Sequence, residues 1–223
     1  MSKLLSYKND PDLKKKFVKE VLWHQQQDKI LQGTYGDNTD DGWKGCAVAC
    51  SLRSLDKING VTDLEEEYSD HKRYESELGL PEWLAKLEDT LFEGLPRAEA
   101  EKWPVRFAKA IPVGADLESL KWKFSVYLMK ENIDRVLALE ISSELKEQVV
   151  SSIRGVLVLN EEAIKTGVWD ESAAESAAWS AAESAASAAW SAESAAESAA
   201  ASAASAAHVK HSKELLKLLK GAN

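Results

Sequence analysis

The stretch between residues 172 and 207 is the sequence feature that most limits what this chain can fold into. It is built from SAAE, SAAW and SAA units and contains neither glycine nor proline. Its serines recur about 3.7 residues apart on average, close to the 3.6-residue turn of an α-helix. Because alanine has the highest helix propensity, we expect this segment to form one long helix or a helical hairpin.

The rest of the chain has the spacing of amphipathic helices. Asp10 and Pro11 are suited to the start of a first helix, and Gly33 to the position just past its end. Pro81 and Gly94 are suited to the two ends of a later helix. Pro104 predicts a kink or two short helices. Further helical periodicity covers residues 46–59, 117–132 and 144–165, and no run shows the two-residue alternation of a strand.

These patterns predict an all-α fold with two parts. Residues 1–168 form a multi-helix globular domain in this prediction. Residues 169–223 form an Ala/Ser-rich helical segment that ends in an amphipathic stretch, HVKHSKELLKLLKGAN. Small side chains let helix backbones approach closely, so we expect this segment to pack on the body or on a second copy of the chain.

Charge and composition argue against some classes of function and location. The formal net charge of −9 disfavours contact with phosphate backbones, so no nucleic-acid binding is expected. No apolar stretch approaches the roughly 20 residues of a membrane span, and the first residues lack the apolar region of a secretory signal. The sequence therefore predicts a cytoplasmic protein that contacts no membrane.

The sequence predicts neither a cofactor nor a metal site. Cys46 and Cys50 alone make neither a disulfide framework nor a zinc site by spacing. His208 and His211 could share a helical face with Glu214, but no fourth ligand is placed near them.

Cys46 belongs to the one grouping that suggests catalysis. It follows Gly45 at a predicted helix N-terminus, where the helix dipole lowers the pKa of a thiol. His24 and Asp28 are four residues apart, a spacing at which a carboxylate can orient an imidazole. Together the three residues would serve a cysteine-dependent hydrolase or transferase. A buried, structural cysteine is the alternative, because the flanking residues are apolar.

A glycine-rich loop precedes the same helix. Backbone N–H groups at such a junction can hold an anion, and Lys44 adds positive charge. With Tyr35, Trp43 and Gly45 nearby, the loop suggests a pocket for a phosphorylated or nucleotide-like small molecule. An ordinary connecting loop is the alternative.

Trp179 and Trp190 are eleven residues apart in the Ala-rich segment. At that spacing they lie nearly in line along a helix. They could pack on the body, or they could form an aromatic surface for a protein partner, since tryptophan is enriched at binding hot spots.

Three segments, GWKGCAVACSL, HKRYESELGLPEWLAKLEDTLFEGLP and AIPVGADLESLKWKF, resemble an uncharacterised family of bacterial and phage proteins over about residues 10–165. The tail with its closing AAHVKHS is similar to repeats of immunity proteins. This resemblance implies binding of a partner in a toxin, phage-defence or counter-defence setting. The leading hypothesis is therefore a non-enzymatic interaction protein, with the small-molecule binder and the cysteine enzyme as alternatives.

Overall fold

The computed structural model describes residues 3–65, 67–170 and 197–222, with the side chains of the last helix described from residue 204 onward. Eight α-helices, a 3₁₀-helix (Ser6–Asn9), a π-helix (Tyr74–Leu78) and one small two-stranded sheet form the regular structure of these residues, which confirms the all-α class. None of the described helices has the length and apolarity needed to cross a membrane.

The chain divides into two compact units, and they differ from the predicted division at residue 168. One unit contains residues 1–118 together with 203–223, and the other contains residues 119–202. The first unit therefore includes both ends of the chain.

Five helices of the first unit precede residue 118. The Asp10 carboxylate caps the first of them by accepting the N–H groups of Asp12 and Leu13 at 2.8 and 3.2 Å, as the sequence predicts. The interruption expected near Pro104 is present as two short helices. The five are α1 (Pro11–Gln26), α2 (Ala47–Ile58), α3 (Glu82–Gly94), α4 (Arg97–Ala100) and α5 (Trp103–Ala110).

Helix α2 lies in the centre of this unit. All six of its residues from 47 to 52 are buried, and it contacts α1, α3 and α5. Each of these helices contributes large apolar side chains that are almost fully buried. Burial of each such side chain stabilises the folded protein by about 1.5–3 kcal/mol. These side chains include Phe17, Leu52, Leu84, Phe92 and Phe107.

A short β-hairpin connects α1 to α2. Strands β1 (Asp37–Thr39) and β2 (Gly42–Lys44) pair antiparallel, and Gly42 has the positive φ of 88° that the tight turn requires. The sequence predicts only turns here, because strands of three residues are too short to show an alternating pattern.

The second unit contains two long helices that pack against each other, α6 (Leu120–Ala138) and α7 (Ser143–Thr166). The Ser142 hydroxyl caps α7 by accepting the N–H of Leu145 at 3.3 Å. Gly167 ends the helix with a φ of 73°. Both helices agree with the predicted ranges, although α6 extends beyond its predicted end.

Helix α8 (Glu197–Lys220) returns the chain to the first unit. Its Leu215 and Leu219 are completely buried, so the amphipathic C-terminal stretch docks as predicted. The imidazole of His208 lies against Gly94 at the end of α3, where a Cβ atom would stand only 2.2 Å from the ring.

Candidate functional site

Cys46 stands at the N-terminus of α2 and is almost fully buried, with 1% of its surface exposed. Its backbone N–H donates to the Thr34 carbonyl at 2.8 Å, and the neighbouring Gly45 N–H donates to the Lys29 carbonyl at 2.9 Å. These bonds attach the glycine-rich loop to the start of α2. The thiol position is therefore fixed by two elements of the chain.

Two carboxylates of α3 lie beside this thiol. Asp89 and Glu93 are four residues apart and so project from one helical face. One ligand atom from each of Cys46, Asp89 and Glu93 lies within 4.8 Å of the other two. The three residues, which we call the Cys46 cluster, range from buried at Cys46 through half-buried at Asp89 to exposed at Glu93.

Each member of the Cys46 cluster accepts a hydrogen bond from outside it. The Cys46 Sγ accepts the N–H of Ala49 at 3.4 Å. The Tyr35 hydroxyl donates to Asp89 Oδ2 at 2.6 Å.

For the third member, the N–H of Gly33 donates to Glu93 Oε2 at 2.8 Å. Hydrogen bonds of this kind orient the side chains that receive them, as the outer contacts of metal ligands do.

His71 borders the same cluster. Its Nδ1 is 2.8 Å from the carbonyl oxygen of Ser69, and its Nε2 is 3.4 Å from Asp89 Oδ2. The ring also makes an edge-to-face contact with Tyr35, with centroids 5.9 Å apart. Among the described residues, neither His71 Nε2 nor Asp89 Oδ1 has a hydrogen-bond partner, although both atoms are buried.

Burial and the Asp89 carboxylate raise the pKa values of three acidic groups in this region. Burial raises the pKa of the Cys46 thiol, with the Asp89 charge adding to the effect. Burial and Asp89 likewise raise the pKa of Glu93. The hydrogen bond to Asp89 raises the pKa of Tyr35, with burial and the Asp89 charge as further causes. A cation placed among these groups would relieve their mutual repulsion.

The predicted pairing of His24 with Asp28 is wrong. Helix α1 ends at Gln26, so Asp28, with a φ of 51°, is not on the helical face of His24. Asp28 instead pairs with Lys44 at 3.2 Å. His24 is buried, and neither of its ring nitrogens has a partner among the described residues.

The order of groups around Cys46 also differs from a nucleophilic triad. In such a triad the imidazole stands between the thiol and the carboxylate. Here Asp89 lies within reach of both Cys46 and His71. Because burial keeps the thiol protonated, this arrangement is poorly suited to nucleophilic catalysis.

The predicted ligand loop packs against the protein. Trp43 is 8% exposed, makes edge-to-face contacts with His24 and Tyr68, and lies 4.4 Å below the guanidinium of Arg53. A Cβ at Gly45 would stand 2.7 Å from the Trp43 ring. These contacts give Trp43 and Gly45 a packing role.

The other two residues of the predicted pocket have polar contacts. Lys44 lies 3.9 Å from Asp41, in addition to its contact with Asp28. Tyr35 is at the Cys46 cluster through its bond to Asp89.

Sequence reasoning found Cys46 and Tyr35 but missed Asp89, Glu93 and His71. These residues are distant from Cys46 in sequence. Asp89 and Glu93 reach it through the packing of α3 against α2, and His71 borders them from a separate turn. The four-residue spacing of the two acids was the available signal. Trp179 and Trp190 lie outside the described residues.

Comparisons with known proteins assign no family or function to the chain. The chain matches no protein-family model. No curated protein and no solved structure is similar to it.

Proposed function

We propose that the helical body binds a divalent transition-metal ion between Cys46, Asp89 and Glu93. The observation that carries this proposal is the grouping of one thiol and two carboxylate ligand atoms within 4.8 Å of one another. Donor atoms on one tetrahedral ion are about 3.3–3.8 Å apart, since metal–ligand bonds are about 2.0–2.3 Å long, so this group is wide enough to admit an ion and must close around it. Small side-chain movements would bring all three onto one ion.

The surrounding hydrogen bonds support this proposal. Tyr35, Gly33 and Ala49 each donate to one member of the cluster. Comparable outer contacts orient the ligands of metal sites in general.

The donor set favours particular ions. A thiolate is a soft ligand and suits Zn²⁺ or Co²⁺ rather than Mg²⁺ or Ca²⁺, which prefer oxygen alone. A bound divalent ion would also deprotonate the thiol, whose raised pKa keeps it neutral otherwise. The proposal therefore makes Cys46 a ligand instead of a nucleophile.

A cobalt titration of the purified full chain tests the proposal. Cobalt bound to Cys46 is expected to give a near-ultraviolet thiolate charge-transfer band that saturates at one equivalent, and zinc should displace it. The Cys46→Ser variant should lose the band and weaken zinc binding by more than about 100-fold, beyond the usual cost of changing an outer contact.

Cys50→Ser is the matched control. Cys50 is equally buried, and its thiol donates to the carbonyl of Gly45 at 3.3 Å, a bond that a serine hydroxyl can replace. This variant should keep the cobalt band. A full chain that gives no thiolate band at saturating cobalt would refute the proposal.

The partner-binding role of the Ala/Ser-rich segment stays a prediction, as does the resemblance to phage and immunity proteins. Residues 171–196, which include both tryptophans of the expected interaction surface, lie outside the described residues. A metal site in the body is compatible with a non-enzymatic binding protein of this kind.

A further inference from the structure

His71 is held in one orientation by contacts on two sides. Its Nδ1 is 2.8 Å from the Ser69 carbonyl oxygen, and its ring contacts Tyr35 edge to face at an interplanar angle of 86°. The third side, which carries Nε2, is directed at Asp89. The imidazole is therefore positioned before any ion arrives.

The Ser69 contact determines which nitrogen has the free electron pair. A carbonyl oxygen can only accept, so the proton of a neutral His71 is on Nδ1 and Nε2 has a lone pair. That lone pair is 3.4 Å from Asp89 Oδ2, an oxygen that already accepts the Tyr35 hydroxyl. Two electron-rich atoms thus approach each other in a buried place, which is unfavourable unless a positive charge lies between or beside them.

Histidines that bind metal ions usually donate their second ring N–H to a backbone carbonyl or a carboxylate. The His71–Ser69 contact has this arrangement. The distance of 3.4 Å between Nε2 and the Asp89 oxygen also matches the separation of two donors on one four-coordinate ion.

We propose that His71 Nε2 is the fourth ligand of the ion held by the Cys46 cluster. This inference rests on the proposed metal function. Nε2 is not within the 4.8 Å group formed by the other three ligand atoms, so the ligand side chains move closer together when the ion binds. The ion is then enclosed by one thiolate, one imidazole and two carboxylates.

Four protein ligands give the ion a structural role. Structural zinc sites are closed by four ligands, whereas catalytic sites keep one position open for water or substrate. An ion bound by four protein ligands would connect the loop around residues 69–71 to α2 and α3. It would thereby hold together segments that are distant in sequence.

Cobalt in the His71→Gln variant tests this inference. Four-coordinate cobalt has strong visible absorption, and cobalt with additional water ligands absorbs weakly. In the variant the visible bands should weaken, the near-ultraviolet thiolate band should remain at high cobalt, and zinc affinity should fall by more than about 100-fold. His211→Gln, a change in α8, should leave all three readouts at their wild-type values.

A second measurement uses the unaltered chain and so does not depend on the folding of a variant. With ¹⁵N-labelled histidine, zinc should shift the Nε2 resonance of His71 and leave Nδ1 protonated. An Nε2 resonance that zinc binding leaves unshifted would make His71 an outer partner of Asp89 and overturn the inference. Unchanged visible cobalt bands in His71→Gln would do the same. Both results differ from failure of the metal proposal itself, in which the full chain shows no thiolate band.

Discussion

At the scale of single residues, His24 is a titratable side chain enclosed by aromatic rings. It makes edge-to-face contacts with Trp23 and Trp43, and only 1% of it is exposed. Burial lowers its pKa to about 3, and the nearby cations Lys57, Arg53 and Lys29 add to the effect. The folded protein therefore keeps this imidazole neutral where the unfolded chain would protonate it.

The sign of the resulting pH dependence follows from proton linkage. Between the unfolded pKa of about 6.5 and the folded pKa, the unfolded state binds one more proton. His24 therefore lowers the free energy of unfolding as the pH falls from about 6.5 toward 3, by at most about 1.4 kcal/mol per pH unit. It has no such effect above pH 7.

The His24→Phe variant should remove this dependence, because a phenyl ring keeps the aromatic contacts and binds no proton. Urea unfolding of both proteins at several pH values measures it. The stability of the variant relative to wild type should increase steadily as the pH is lowered from 6.5 to 4. A difference that stays constant over this range would contradict a neutral, buried His24.

Individual residues also show how far sequence reasoning reaches at this scale. Gly45 and the apolar run after it place Cys46 correctly at a helix N-terminus. The expected lowering of its thiol pKa is reversed, because burial outweighs the hydrogen bonds from the backbone N–H groups of Ala49 and Val48, which lower the pKa. The apolar residues that follow Cys46 indicated the buried alternative, which its 1% exposure confirms. They did not indicate that Asp89 and Glu93 of α3 lie beside the thiol.

At the scale of elements, the docking of α8 depends on a glycine. Gly94 is the last residue of α3, and the His208 ring occupies the space where a side chain would be. The His208 Nδ1 is 2.8 Å from the Ala204 carbonyl of its own helix, which limits how the ring can move away. The end of α3 and α8 are therefore in close contact at this point.

Gly94→Ala should destabilise the protein by about 1–3 kcal/mol, the usual range for overpacking. Gly155→Ala is the matched control, because a Cβ at that α7 position meets nothing within 4 Å. It should stabilise the protein by about 0.5–1 kcal/mol through helix propensity. Denaturant unfolding measures both changes.

The double variant Gly94→Ala with His208→Ala should recover much of the loss, because the clash then has no partner. If the changes in the free energy of unfolding caused by Gly94→Ala and by His208→Ala simply add, the close approach of the His208 ring to Gly94 does not determine the stability of this contact.

Elements were more predictable than their assembly. Caps and apolar spacing identify α2, α3 and α7 within a few residues, since these signals are local. They identify the start of α1 but place its end near Gly33, beyond the observed end at Gln26. The hairpin of β1 and β2 was missed because its strands are too short to show a period. The approach of α3 to Cys46 was missed because it is a tertiary contact.

At the scale of the whole molecule, one compact unit contains both ends of the chain, and residues 119–202 form the other unit. The repeat suggested a boundary at residue 168 because its composition changes there. The change in composition does not indicate that residues 203–223 belong to the first unit. The buried leucines of α8 pack that part of the helix into the unit. All four proposed ligands belong to the first unit, so the ion should act on that unit.

Zinc should therefore stabilise the molecule unevenly. A ligand that binds only the folded state adds about 2.7 kcal/mol at a free concentration one hundred times its dissociation constant. Hydrogen exchange of the full chain, with and without zinc, locates this gain. Slower exchange is expected at the four segments that hold the ligands and their outer contacts, residues 29–35, 45–50, 68–72 and 86–94. Exchange in α6 and α7 should not change.

Two controls test whether the slower hydrogen exchange comes from zinc at the proposed site. Magnesium at the same concentration should have no effect, because a site containing a thiolate discriminates against it. Cys46→Ser should exchange equally with and without zinc, while Cys50→Ser should behave as wild type does. Protection spread equally over both units, or present in Cys46→Ser, would mean that zinc binds elsewhere. Protection confined to the four segments would instead show that the ion joins α2, α3 and the two loops into one cooperative structure.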